Sequence, residues 1–384
     1  MKILHTVEFY KPSTGGAQEV VRQISEELVK RGHEVTVATK KLAERSNTKL
    51  NGVRIEEFAI AGNAVRGCTG EITRYQEFLR AGNFDLMMNY AAQQWATDLV
   101  YRVLDELPYR KVLAPCGFSA LSDPRYDSYF RDLPDVLRKY DRLIFHSNCG
   151  RDVEFARSHE IDQCSVVSNG ASLEEFENPD FSFRNRYRIP ADRPLLLTVG
   201  SHTGAKGHAV TIDAFRRAKI GPATLVVIGN TVGMTRCIAQ CHMQARLTEL
   251  ATFGKKRVLL LNPPRKDVVS AYDSADLFVF ASKIECSPIV LFEAAASRTP
   301  FLSSDCGNAA EIAEWTGSGK VLPVTTADTM AKAIEELLGD KPRLQSMAES
   351  GFRAWKTRFT WENVAVQYEQ VYADLVRCAQ IRLR

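Results

Sequence analysis

The chain has 384 residues, 45% hydrophobic and 25% charged, and its 50 basic residues against 46 acidic ones give a formal net charge of +4. That length exceeds one ordinary hydrophobic core, so two globular domains are expected. A charge this nearly balanced, without a basic tract or RNA-binding signature, excludes nucleic acid as the expected partner; it suits an anionic small molecule and leaves peripheral contact with a membrane surface open.

The N-terminus runs directly into a strand pattern, "KILHTVE" (2–8), with no signal-peptide h-region ahead of it. A second strand pattern follows at 33–39. Between them Ala17, Val20, Val21, Ile24 and Leu28 fall at helical spacing, closed by Gly32. Apolar runs recur at 84–90, 111–117, 142–148 and 164–170, with helical patterns near 71–81, 94–105, 132–139 and 150–158. Strands alternating with helices imply a parallel sheet covered on both faces. Residues 169–194 break this rhythm and read as an interdomain connection. A second alternating series has strands at 194–200, 223–229, 257–262, 276–282 and 300–305, then helices at about 327–338 and 341–354. A last helix, 361–384, lines up Val364, Tyr368, Val371, Tyr372 and Leu375 on one face, the pattern of a docking helix. The fold class is therefore α/β, with two Rossmann-like doubly wound domains of similar size facing across a cleft. No apolar stretch approaches the length needed to cross a bilayer, and the expected location is cytoplasmic, at most peripheral at the inner face of a membrane.

In open α/β sheets ligands bind beyond the carboxyl ends of the strands, so chemistry is sought in the loops there. After the first strand, Gly15 and Gly16 permit close backbone approach, and the helix they open offers N–H groups to an anion. The dinucleotide fingerprint G-x-G-x-x-G is absent at that loop. In "VGSHTGAKGH" (199–208) Lys206 lies between Gly204 and Gly207 just before a helix, a setting suited to phosphate oxygens as much as to solvent. In "IECSPIVLFEAAAS" (284–297), Ser287 is placed to cap a helix and Pro288 to start it. Glu285 then precedes the helix N-terminus, and Glu293 lies about 8–9 Å along the axis at about 1.5 Å per residue. Two acceptors so spaced can hold two parts of one extended ligand; alternatively Glu285 is a dipole-favoured cap and Glu293 half of a buried ion pair. The nine cysteines, at 68, 116, 149, 164, 237, 241, 286, 306 and 378, form no paired framework and read as reduced thiols. Cys237, Cys241 and His242 invite a metal reading, but a partner pair at finger spacing is not found beside them, and no metal is expected.

Together "GGAQ" (15–18), "SNGAS" (168–172), "VG…KG" (199–207), "SADLFVFAS" (274–282) and the E-x7-E pair Glu285/Glu293 resemble the retaining glycosyltransferase family 4, of GT-B fold, in family order over most of the chain. The resemblance implies a retaining, metal-independent enzyme of hexosyltransferase type, active in polysaccharide biosynthesis. It would move a sugar from a nucleotide-diphosphate donor to a carbohydrate or lipid-linked carbohydrate acceptor, with no cofactor. It implies acceptor binding by residues 1–172, onto which 361–384 docks, and donor binding by 173–360. It further implies that Glu285 contacts the donor sugar, Glu293 the ribose hydroxyls, Lys206 the diphosphate, and Gly16 and the Ile289 N–H the same phosphates. Where family members often carry an arginine after the "VG" strand, this chain has Ser201. Where many carry a histidine near the sugar, it has Cys116, with Tyr90 at a second such place; Tyr90, Cys116 and Phe118 are the candidate sugar and acceptor pocket. Aromatic residues 118–130 offer sugar stacking or, more often, core. A nucleotide-sugar-binding partner subunit without turnover and a nucleotide-sugar epimerase are the alternatives.

Overall fold

A computed structural model describes residues 1–178, 180, 182–230 and 235–382. The chain folds into two compact units, Met1–Asn169 with Trp361–Arg384, and Gly170–Thr360.

The first unit contains β1 (Lys2–Thr6), β2 (Glu34–Lys40), β3 (Lys49–Leu50), β4 (Val53–Phe58), β5 (Ile60–Asn63), β6 (Gly67–Gly70), β7 (Leu86–Tyr90), β8 (Arg110–Ala114), β9 (Arg142–Phe145) and β10 (Cys164–Val166). Its sheet runs β10-β9-β8-β7-β1-β2-β4-β3, parallel except for the β3–β4 pair, while β5 and β6 form a separate hairpin. The apolar face of helix Gly16–Lys30 supplies the buried Val20, Val21, Ile24 and Leu28. Helix Trp361–Arg382 packs on it; His5 contacts Tyr372 Oη at 3.2 Å through Nε2, and Glu369 lies 2.7 Å from His33 Nε2. Residues 383 and 384 of the expected last helix fall outside the described residues. The expected helix over 94–105 is one turn, Trp95–Asp98, followed by tight turns. Trp95, Leu99, Val100, Val103 and Leu104 are all buried there, so the apolar spacing marks enclosure rather than one helical face.

The second unit contains β11 (Leu195–Val199), β12 (Ala223–Ile228), β13 (Lys256–Leu261), β14 (Leu277–Phe280), β15 (Phe301–Ser304) and β16 (Gly319–Leu322). All pairings are parallel, in the order β13-β12-β11-β14-β15-β16. Counted within the unit this is 3-2-1-4-5-6, the doubly wound order whose direction reverses between β11 and β14. Both strands are apolar and buried through their centres, as strands covered by helices on two faces must be. The chain enters and leaves this unit side by side, with the Ala171 N–H donating to Phe359 O at 3.0 Å. Among the described residues no helix is long and apolar enough to cross a membrane.

Candidate functional site

The reversal between β11 and β14 leaves a crevice at their carboxyl ends, and the two loops that emerge there carry Lys206 and Glu285. Loop 200–207 is tied down on both sides. Gly200 N–H donates to Ile228 O and His202 N–H to Asn230 O, each at 2.9 Å, while Lys283 N–H donates to Ala205 O at 2.9 Å. Gly207 ends the loop at φ 68° as the N-cap of helix His208–Arg217. A Cβ at that position would lie 1.9 Å from the Ala281 carbonyl oxygen, so only glycine lets the two loops approach this closely. In consequence Lys206 Nζ stands 2.6 Å from Glu285 Oε1, and the Ser282 hydroxyl donates to the same oxygen at 2.7 Å. Gly307, at φ 56°, lets the next loop close over this one, and Asn308 N–H donates to Cys286 O at 3.0 Å.

Helix Ile289–Ala296 starts one residue later than the Ser287–Pro288 pattern suggests. Pro288 itself is the N-cap, at φ −71° and ψ 109°, and brings no capping side chain. Ile289 is thus the first helical residue, where N–H groups have no acceptor within the helix. Further along the helix, Glu293 is buried and 2.5 Å from Arg265, whose guanidinium also holds Glu175 at 2.7 Å. Burial pushes the Glu293 carboxyl above the usual range, and the Arg265 charge works against that rise. The ion-pair alternative for Glu293 is thus the arrangement observed. Nothing in the local sequence around Arg265 or Glu175 marks them; they meet Glu293 only through the sheet order. Ser201 sits half-buried in the loop ahead of Lys206.

In the first unit, Gly15 is the N-cap and Gly16 the first residue of helix Gly16–Lys30, and a Cβ on Gly16 would meet nothing within 4 Å. A cavity of about 320 Å³ is lined by Glu8, Asn63, Arg66, Gln93, Ser119 and Tyr126, among others. Asn63 organises it: Nδ2 donates to Tyr126 Oη at 2.9 Å, and Oδ1 accepts from the Arg66 N–H at 2.8 Å. Nearby, Asp98 accepts from Ala64 N–H at 2.9 Å and Tyr129 Oη at 3.0 Å, and burial lifts its carboxyl to about 6. The loops after β7 and β8 hold Ala91, Gln93, Cys116 and Phe118 at positive φ, 66°, 65°, 62° and 42°. Strained non-glycine backbone of this kind collects at functional sites. Of the three expected pocket residues, Cys116 is half-buried on this loop. Tyr90 is enclosed, its hydroxyl 3.0 Å from His146 Nε2. Phe118 is core, edge-on to Phe130 and Phe155. The aromatic run therefore serves packing, apart from Tyr126 at the cavity wall.

Residues 180–354 match the family model described as "Glycosyl transferases group 1". A D-inositol 3-phosphate glycosyltransferase of Xylanimonas cellulosilytica is 24% identical to this chain, over 98% of it and 96% of the relative. Among solved structures, sucrose-phosphate synthase from Thermosynechococcus elongatus superposes with a TM-score of 0.81 at 18% identity, over 98% of this chain and 99% of that one. HepE of Anabaena, solved with UDP-glucose, gives 0.78 at 16% identity, over 98% and 100%. The chain is a glycosyltransferase enzyme with the GT-B fold, and residues 180–354 are the part that matches the group 1 model.

Proposed function

We propose that the chain is a retaining glycosyltransferase that takes a hexosyl group from a nucleoside-diphosphate sugar bound at the β11/β14 crevice. The observation that carries this reading is the pairing of Lys206 with Glu285 at that switch point. In the donor complex Lys206 leaves the carboxylate for the diphosphate, and with the N–H groups at Ile289 it stabilises charge on the departing nucleotide. No divalent metal is needed for that step. Glu285, freed of its lysine and still held by Ser282, accepts hydrogen bonds from the sugar hydroxyls. Glu293 and Arg265 together receive the ribose side of the nucleotide. The donor phosphate oxygen takes the acceptor proton, which places no base among the side chains. The cavity at Asn63, Arg66 and Tyr126 receives a carbohydrate or lipid-linked acceptor, and peripheral attachment to an inner membrane face would present the latter. The similarity to a D-inositol 3-phosphate glycosyltransferase and to HepE, solved with UDP-glucose, supports a nucleotide sugar as donor.

The test is release of nucleoside diphosphate from a panel of nucleotide sugars with and without candidate acceptors, with the anomeric configuration of the product read by NMR. Acceptor-dependent release with retained configuration is expected. Binding without release would make the protein a partner subunit, and donor isomerised without acceptor an epimerase.

A further inference from the structure

Cys237 and Cys241 do have partners at metal-binding spacing, but from a loop about thirty residues upstream. His202 and His208 bracket the glycine-rich loop in an H-x5-H arrangement, and Cys237-x3-Cys241 lies on helix Thr235–Ala251. Both spacings fall within the ranges typical of structural zinc sites. One ligand atom from each of the four side chains lies within 4.8 Å of all the others. His202, His208 and Cys241 are buried and Cys237 is half-buried, whereas His242 is exposed and takes no part.

The distances separate a metal site from ordinary packing. His202 Nδ1 lies 3.2 Å from His208 Nδ1 and 3.8 Å from each of the two Sγ atoms. A ring nitrogen carries one hydrogen or one lone pair, so a single Nδ1 cannot serve three hydrogen-bond partners at once. A tetrahedral ion can. With Zn–N near 2.05 Å and Zn–S near 2.3 Å, tetrahedral edges are about 3.3 Å for N···N and about 3.6 Å for N···S. The observed separations match to about 0.2 Å, the tolerance expected of such a site.

We propose that His202, His208, Cys237 and Cys241 form a closed, structural zinc site. Two imidazoles and two thiolates suit Zn²⁺, and four protein ligands leave no position open for chemistry. The ion binds both ends of segment 202–208 to helix Thr235–Ala251, and so fixes the loop from which Lys206 projects. The inference stands whether or not the proposed reaction is correct.

The experiment uses the full chain, untagged, purified under reducing conditions without chelator. Elemental analysis is expected to find one zinc per chain, lost in the Cys237→Ser/Cys241→Ser double variant with the circular dichroism spectrum retained. Cobalt replacement should give thiolate-to-metal charge-transfer absorption and the visible bands of tetrahedral Co²⁺. On the wild-type chain alone, a strong chelator should release the zinc and expose two further thiols to a thiol reagent. The proposal is overturned if the reduced wild-type chain holds no zinc after incubation with excess metal. Zinc retained by the double variant, or released with no new thiol reactivity, would overturn it equally.

Discussion

Lys206→Ala removes the cation from a pair whose Nζ and Oε1 are 2.6 Å apart, with side chains 29% and 12% exposed. In the resting protein Glu285 keeps its Ser282 hydrogen bond at 2.7 Å, so the carboxylate is left with one donor rather than none. A charge-assisted hydrogen bond contributes about 1.5–3 kcal/mol, and with Ser282 still in place the stability cost should sit near the lower end. Turnover should respond more strongly. A lysine on the departing diphosphate acts where charge develops, and losing such a donor costs about 2–4 kcal/mol, roughly 30- to 1,000-fold in kcat. Chemical denaturation and steady-state kinetics on the same preparation separate the two effects. If Lys206→Ala lost about 1.5 kcal/mol of stability yet kept the wild-type kcat, the lysine would only anchor Glu285, and the diphosphate would be held elsewhere.

Glu293→Gln should leave stability nearly unchanged, because Arg265 keeps Glu175 at 2.7 Å and the buried charge is relieved. Donor affinity should fall about tenfold, about 1.4 kcal/mol, and equal affinity by titration calorimetry would remove the ribose role. Gly207→Ala puts a Cβ 1.9 Å from the Ala281 carbonyl oxygen at a left-handed φ of 68°. Strain alone costs about 1–2 kcal/mol, and turnover should drop because the Lys206 and Glu285 loops are forced apart; an unchanged thermal midpoint and rate would refute this. Asp98, lifted from its ordinary 3.8 to about 6, stays protonated in the native state where the unfolded chain is ionised. The native state then binds more protons, so this contribution to stability falls as pH rises from about 4 to 6. The unfolding free energy of Asp98→Asn relative to wild type should therefore improve by up to about 3 kcal/mol across that window, and a pH-independent difference would contradict it.

The parallel strands are legible because a strand buried on both faces is a short continuous apolar run, as in "LLLTV" and "ATLVVI". β16, half-buried over "GKVL", and the β5–β6 hairpin, with glycines at 62, 67 and 70, lack that signal and escape a reading of the sequence. Lys206 and Glu285 can be proposed separately from their loops. Their contact spans 79 positions and exists because β11 and β14 are neighbours, which periodicity does not reveal. The same limit hides Arg265 from Glu293 and the two histidines from the two cysteines. Phe118 errs the other way, while Phe130 follows the core alternative. Local aromatic density resembles a sugar platform, while the pairing of their rings with Phe155 makes them core.

The most direct test of the donor site is calorimetric titration of the wild-type chain, Lys206→Ala and Glu285→Gln with a nucleoside diphosphate and with its sugar conjugate. The wild type should bind one equivalent of each. On the proposed roles of the carboxylate at the sugar and the lysine at the phosphates, Lys206→Ala should weaken both ligands, whereas Glu285→Gln should weaken only the sugar conjugate. Equal affinities across the three proteins would contradict a donor site at the β11/β14 crevice.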